Sequence, residues 1–135
     1  MDIQLYDDIF KSFEEYYKKV DEFDTAISPY PTTDTTYPLI VLEEIRNVAD
    51  QRFNTCFNRV SSVGYKVDIY AKDIGEYDKQ SIARQIAKWA DNFLTNYVGL
   101  TRVAFVPENL VNDASQYRIT MTYNGTFFEN RRRIL

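Results

Sequence analysis

Histidine is absent from these 135 residues, and cysteine occurs once, at Cys56. The first absence removes the most common general base, the most common zinc ligand and every Ser-His or Cys-His nucleophile pair. A structural zinc site has no ligand set, and no internal disulfide is possible. Cys56 is expected as a free, partly buried thiol. The four glycines, at 64, 75, 99 and 125, are too scattered to form a phosphate-cradling loop or a dinucleotide turn. No apolar run reaches the roughly 18 residues of a membrane span. The polar, acidic start "MDIQLYDD" does not read as a secretory signal. Synthesis and retention in the cytoplasm, or in something assembled there, is the expectation.

Carboxylates are the remaining candidates for chemistry. Glu43 and Glu44 are adjacent on a predicted strand and so point to opposite faces. Asp7, Asp8, Glu14 and Glu15 lie on the polar side of a predicted helix, where solvation is the simplest role. No spacing matches a calcium loop. Neither an enzyme nor a cofactor or metal protein is expected.

What the chain does have is aromatic side chains, 16% of its residues, with eleven tyrosines and nine phenylalanines. Tyrosine suits interfaces because it combines contact area with a polar end at low entropy cost. Charge is segregated too. The formal net charge is -4, yet residues 1–24 hold eight acids against three lysines, and the other 111 residues hold twelve acids and thirteen bases. The acidity belongs to the N-terminal segment.

Hydrophobic spacing predicts an α+β fold in a single domain, residues 1–135, with two main helices on a mainly antiparallel sheet of four to five strands. Ile3, Tyr6, Phe10, Phe13, Tyr17 and Val20, widened by Ile9, Tyr16 and Phe23, form an apolar stripe at helical spacing over 3–22. The stripe is expected to pack on the domain's own sheet, with a partner's groove as the alternative. "SPYPTTDTTYP", with Pro29, Pro31 and Pro38, predicts an extended loop over 29–37, either functional or a passive crossover. Part of it is expected to become ordered against a neighbour, with Tyr30 and Tyr37 as contact residues.

The sheet is predicted over 39–128. "LIVLEEIRN" reads as its first strand, and alternation of Phe53, Thr55 and Phe57 suggests another. After a turn at Ser61-Ser62-Val63-Gly64, Tyr65, Val67 and Ile69 alternate with Lys66, Asp68 and Tyr70. Asp78 is placed to cap a second helix, 78–97, with Gly99 as its stop. That helix carries two stripes: Ile82, Ile86, Trp89 and Phe93, and beside them Ala83, Ala87, Ala90, Leu94 and Tyr97. "LTRVAFVP" predicts a strand stopped at Pro107, with "ENLVNDAS" as loop. "QYRITMTY" alternates throughout, and Asn124-Gly125 is the signature of a hairpin turn, with Thr126–Phe128 returning.

The closing "ENRRRIL" reads as a projecting tail, 129–135. Three readings are open: a solvated end, contact with DNA, or a tether to another protein. Three arginines in an acidic chain are a weak nucleic-acid footprint. Ile134 and Leu135 speak for the tether, since aliphatics add nothing to a purely electrostatic tail. Arg131, Arg132 and Arg133 would then meet carboxylates, and Asp7, Asp8, Glu14 and Glu15 are the leading candidates.

The stretches "YPLIVLEEIRN", "GYKVDIYAKD", "IARQIAKWADNFL" and "RVAFVPENLVNDASQYRITMTYNG", in that order over about residues 37–125, resemble the small tail-completion or tail-terminator proteins of long-tailed bacteriophages. The resemblance lies in pattern and order, and a preceding N-terminal helix is also typical. It implies a non-enzymatic subunit that assembles into a ring, commonly six-fold, at the head-proximal end of the tail tube. The ring halts tube growth and offers a surface to the head connector or stopper proteins. The implied partners are further copies of the chain, the tail tube protein and the connector, with no membrane and at most DNA passing through the ring. The implied location is the virion neck, after assembly from the host cytoplasm. A head-closure or adaptor protein of the same neck, or a small protein-binding module outside phages, are the alternatives.

Overall fold

The computed structural model describes residues 3–30, 37–49, 60–109 and 116–128. Their order is α1 (Leu5–Val20), β1 (Ala26–Ser28), β2 (Leu39–Ala49), β3 (Val60–Ala71), α2 (Lys79–Asn92), a π-helical turn (Phe93–Tyr97), β4 (Thr101–Asn109) and β5 (Tyr117–Phe128). Among the described residues five strands form one sheet in the order β1-β2-β3-β5-β4, and only the β1–β2 pair is parallel. The architecture is α+β, as the element pattern predicts.

α1 buries Leu5, Ile9, Phe13 and Tyr17, each four residues after the last, with Tyr6, Phe10, Tyr16 and Val20 half-buried beside them. Asp7 and Asp8 in its first turn and Lys18 and Lys19 in its last agree with the helix dipole. The predicted stripe is corrected at its start. Ile3 precedes the helix and is 81% exposed, while Leu5, outside that stripe, is fully buried. The chain leaves the helix through Asp21, whose carboxylate accepts from the backbone of Phe23 (3.0 Å) and Thr25 (2.7 Å).

α2 starts where Asp78 predicts, its side chain accepting from the Gln80 backbone N–H at 3.2 Å. Its inner face is Ile82, Ala83, Ile86, Ala87 and Ala90, and the three alanines allow close packing. The regular helix ends at Asn92. The wider turn that follows buries both Phe93 and Leu94 before Gly99, at φ +88°, reverses the chain. Aromatic contacts join the helices: Phe13 meets Phe93 edge-on at 5.5 Å between ring centres, and Tyr17 meets Trp89 at 6.0 Å.

Both helices pack on one face of the sheet, against Ile40 and Leu42 of β2, Tyr65, Val67 and Ile69 of β3, and Tyr117, Ile119, Met121 and Tyr123 of β5. α1 lies towards β2, where the Tyr6 hydroxyl donates to the Leu42 carbonyl. α2 lies over β3 and β5. The helix layer thus has an α1 flank beside β1 and β2 and an α2 flank beside β4.

Three local expectations give way to long-range pairing. Ser61–Gly64 is no turn but part of β3, paired with β2 on one side and β5 on the other. A register shift between Glu44 and Arg46 lifts Ile45 over Gly64, where an added Cβ would stand 3.2 Å from the Ile45 side chain. Asn124-Gly125 is no hairpin: Asn124 pairs with both Gly64 and Thr101, and β5 runs straight on to Phe128. Gly125 serves close approach, since a Cβ there would fall 2.5 Å from Leu100 Cδ2. Pro107 does not stop β4, which includes Glu108 and Asn109. The strand is at the sheet edge, where a proline is tolerated. β1 was not foreseen, because three residues are too few to show a period. The expected strand at Phe53–Phe57, Cys56, and Arg131–Leu135 lie outside the described residues.

Candidate functional site

The sequence-predicted contact residues are spread over the molecule. On α1, Asp7 and Glu15 are exposed and Asp8 and Glu14 half-buried. Tyr30 is exposed just after β1, its carbonyl accepting from the Ser28 hydroxyl at 2.6 Å. Tyr37 is half-buried, with the Lys72 ammonium 4.4 Å from its ring centre. The structure brings Asp7 and Glu14 to one side of α1 but does not gather them with either tyrosine. Their proposed counterparts, Arg131–Arg133, Ile134 and Leu135, are outside the described residues.

Sequence patterning missed a polar network on the sheet face that no described helix covers. Asp68 alternates there with apolar β3 neighbours as a solvated residue would, yet it is only 2% exposed. Its Oδ1 accepts from Arg118 Nε (3.2 Å) and Nη2 (2.9 Å) and from the Thr120 hydroxyl (2.6 Å). Its Oδ2 lies 3.4 Å from Lys66 Nζ, which also reaches Glu43 at 3.9 Å. Burial opposes the charge on the Arg118 guanidinium, but the hydrogen bonds and Coulombic attraction of Asp68 outweigh it and hold its pKa above the ordinary arginine value. Arg118 also stacks over Tyr70 at 5.5 Å. With cations and a hydroxyl already bound to its oxygens, this carboxylate ties β3 to β5, and Lys66 extends the network to Glu43 on β2. No group of three or more metal-ligating side chains occurs among the described residues.

The flank formed by α2 and β4 has a different character. β4 is an edge strand with no strand pairing beyond it among the described residues. It exposes Val103 (54%), Phe105 (37%) and Val106 (51%). Phe105 lies under two guanidinium groups, Arg84 at 5.8 Å and Arg102 at 5.7 Å from its ring centre. Arg84, Ala87, Lys88, Asp91, Arg102 and Phe105 line an open groove between helix and strand. Asp91 anchors its floor, accepting from the Tyr123 hydroxyl at 2.7 Å and pairing with Arg102 at 3.2 Å. Burial, then the bond to Asp91, drive the Tyr123 pKa well above its usual range. The helical spacing of Arg84 and Lys88 was legible in sequence, but their meeting with β4 was not.

A second groove runs between the helices, lined by Glu15, Tyr16, Lys19, Phe93 and Tyr97 among others. The Tyr16 ring is tilted against Phe93 and Tyr97, with ring centres 5.2 Å and 5.5 Å apart, and its hydroxyl accepts from Asn92 at 2.9 Å. This groove closes the helix pair and continues the core outward.

No family model matches the chain, and no curated protein matches it. None of the helices among the described residues is long and apolar enough to cross a membrane.

Proposed function

We propose that the protein is a structural subunit of a bacteriophage neck, a tail-completion or terminator protein that caps the tail tube as a ring and presents a surface for joining the head. One observation supports this reading most: the two flanks of the molecule differ in kind. One is the α1 side, where residues 3–30 hold seven acids against three lysines. The other is the α2–β4 side, where residues 79–109 hold four bases against two acids and an edge strand displays apolar side chains. Contacts between identical subunits in a ring are heterologous, so each subunit needs two unlike, complementary flanks. Two helices on one face of a mainly antiparallel sheet also agree with the fold that the resemblance implies. In this reading the protein performs no chemistry. It works by shape and charge, in the virion, after accumulating in the host cytoplasm.

The test is a null mutant. Tails assembled without the protein should be of uncontrolled length or unable to join heads when seen by electron microscopy. Normal infectious particles from the null mutant would rule the reading out. Tails of normal length that fail only at head joining would reassign the protein to a head-closure or adaptor role in the same neck.

A further inference from the structure

We infer that the groove between α2 and β4 receives the α1 flank of a second copy of this chain, in a head-to-tail contact. This deepens the ring reading and rests on it. The receiving side consists of Arg84, Lys88 and Arg102 around Phe105, with Val103 beside them. Arg102 is already paired with Asp91. Arg84 and Lys88 are exposed and have no carboxylate partner among the described residues. Val103 is the unpaired residue of a register shift between Arg102 and Ala104, so its side chain is outside the ladder.

The entering side is the outer stripe of α1. Asp7, Phe10 and Glu14 recur at helical spacing, with exposed Ile3 just before them. Asp7 and Glu14 have no cation within ion-pair distance among the described residues, although Lys11 and Lys18 follow each of them by four positions. Two acids and two apolar side chains thus match two free bases and two apolar side chains. The flanks lie on opposite sides of the helix layer, so one copy can give and receive at once.

Strand addition at the β4 edge is the competing occupant, and Pro107 weighs against it. A proline in an edge strand turns its missing donor outward, interrupting any ladder an added strand would form. A helix face needs no such ladder. It needs apolar contact and charges of opposite sign, and both flanks supply them.

Sedimentation velocity on the full chain tests the contact. Wild-type protein should self-associate with rising concentration, and less so as salt is raised. The double variants Arg84→Glu/Lys88→Glu and Asp7→Lys/Glu14→Lys should each weaken association by about tenfold or more. An equimolar mixture of the two should recover it, because each then offers the charge the other lacks. Val103→Asp, at an exposed position outside the ladder, should weaken association with unchanged far-ultraviolet circular dichroism. Wild-type protein that stays monomeric at millimolar concentration overturns the inference. So does Asp7→Lys/Glu14→Lys protein that associates as well as wild type, which would leave strand addition or another partner in the groove. These outcomes are separate from the fate of the neck reading. Variants that cannot associate but still complete tails would remove this contact and leave the neck role standing, whereas normal particles from the null mutant would remove the neck role whatever sedimentation shows.

Discussion

Asp68 shows how much can depend on one side chain in a sheet face that looks merely polar. Its carboxylate is nearly inaccessible and holds Arg118, Thr120 and Lys66 together across two strands. Asp68→Asn keeps the shape but removes the charge that both cations face. Because Arg118 and Lys66 remain partly exposed and can turn to water, the expected loss is about 1–3 kcal/mol, below that of a fully buried pair. Urea unfolding measures it, and an unchanged midpoint would mean that water already satisfies both cations. The tyrosines make a second prediction. Burial is the leading cause that raises the pKa of Tyr6, Tyr17 and Tyr123 above the ordinary 10.0, reinforced for Tyr123 by Asp91 and partly offset for Tyr17 by its contact with Thr25. The folded chain therefore keeps protons that the unfolded chain releases above about pH 10. Their contribution to stability is full below that pH and declines as pH rises towards their folded values. Denaturant midpoints across the alkaline range should fall accordingly, and Tyr123→Phe should make the fall shallower.

Elements in this fold are set as much by their neighbours as by their own residues. β5 runs through Asn124-Gly125 because β3 pairs with it on one side as far as Phe128 and β4 on the other side as far as Asn124. These ladders outweigh the local preference for a two-residue turn. Gly125 is needed there for space, not for a left-handed backbone, since the Leu100 side chain occupies the position of a Cβ. Leu100 is itself buried and has little room to swing away. Gly125→Ala should destabilise the protein by roughly 1–3 kcal/mol, and adding Leu100→Val, which shortens the obstructing side chain, should recover part of that loss in thermal unfolding. Gly75→Ala is the contrast, with open space around the Cβ but φ at +55°, so its smaller penalty would come from backbone strain alone.

At the scale of the whole molecule, β3 is the strand around which the rest is organised. It is paired along its length with β5 and over most of it with β2, and both helices cover one of its faces. β1 is three residues long, and β4 has a strand on one side only among the described residues. Opening free energy should therefore be graded across the sheet. Hydrogen exchange is expected to be slowest in β3 and the central part of β5, and fastest in β1 and β4. If a second copy covers the α2–β4 flank, protection in β4 should rise with protein concentration while β3 changes little. Uniform protection across all five strands would contradict this gradient.

Much of this was legible from residue order alone. The missing histidine, the two helical stripes, the Asp78 cap and the alternation in β3 and β5 are local properties, carried by composition or by neighbours a few positions apart. The stretches that misled share one feature: their conformation is settled by partners far along the chain. Ser61–Gly64 and Asn124-Gly125 have turn residues but sit inside ladders whose other halves lie 12 to 66 positions away, and that long-range pairing outweighs local turn preference. Pro107 is tolerable only because β4 falls at the edge, a matter of strand order that no local window contains. Asp68 is spaced like a surface residue and becomes buried only when β5 brings Arg118 and Thr120 alongside. The basic groove exists for the same reason. Arg84 and Lys88 are readable as one face of a helix, but the tertiary packing of α2 beside β4 sets them around Phe105 and gives the molecule two unlike flanks.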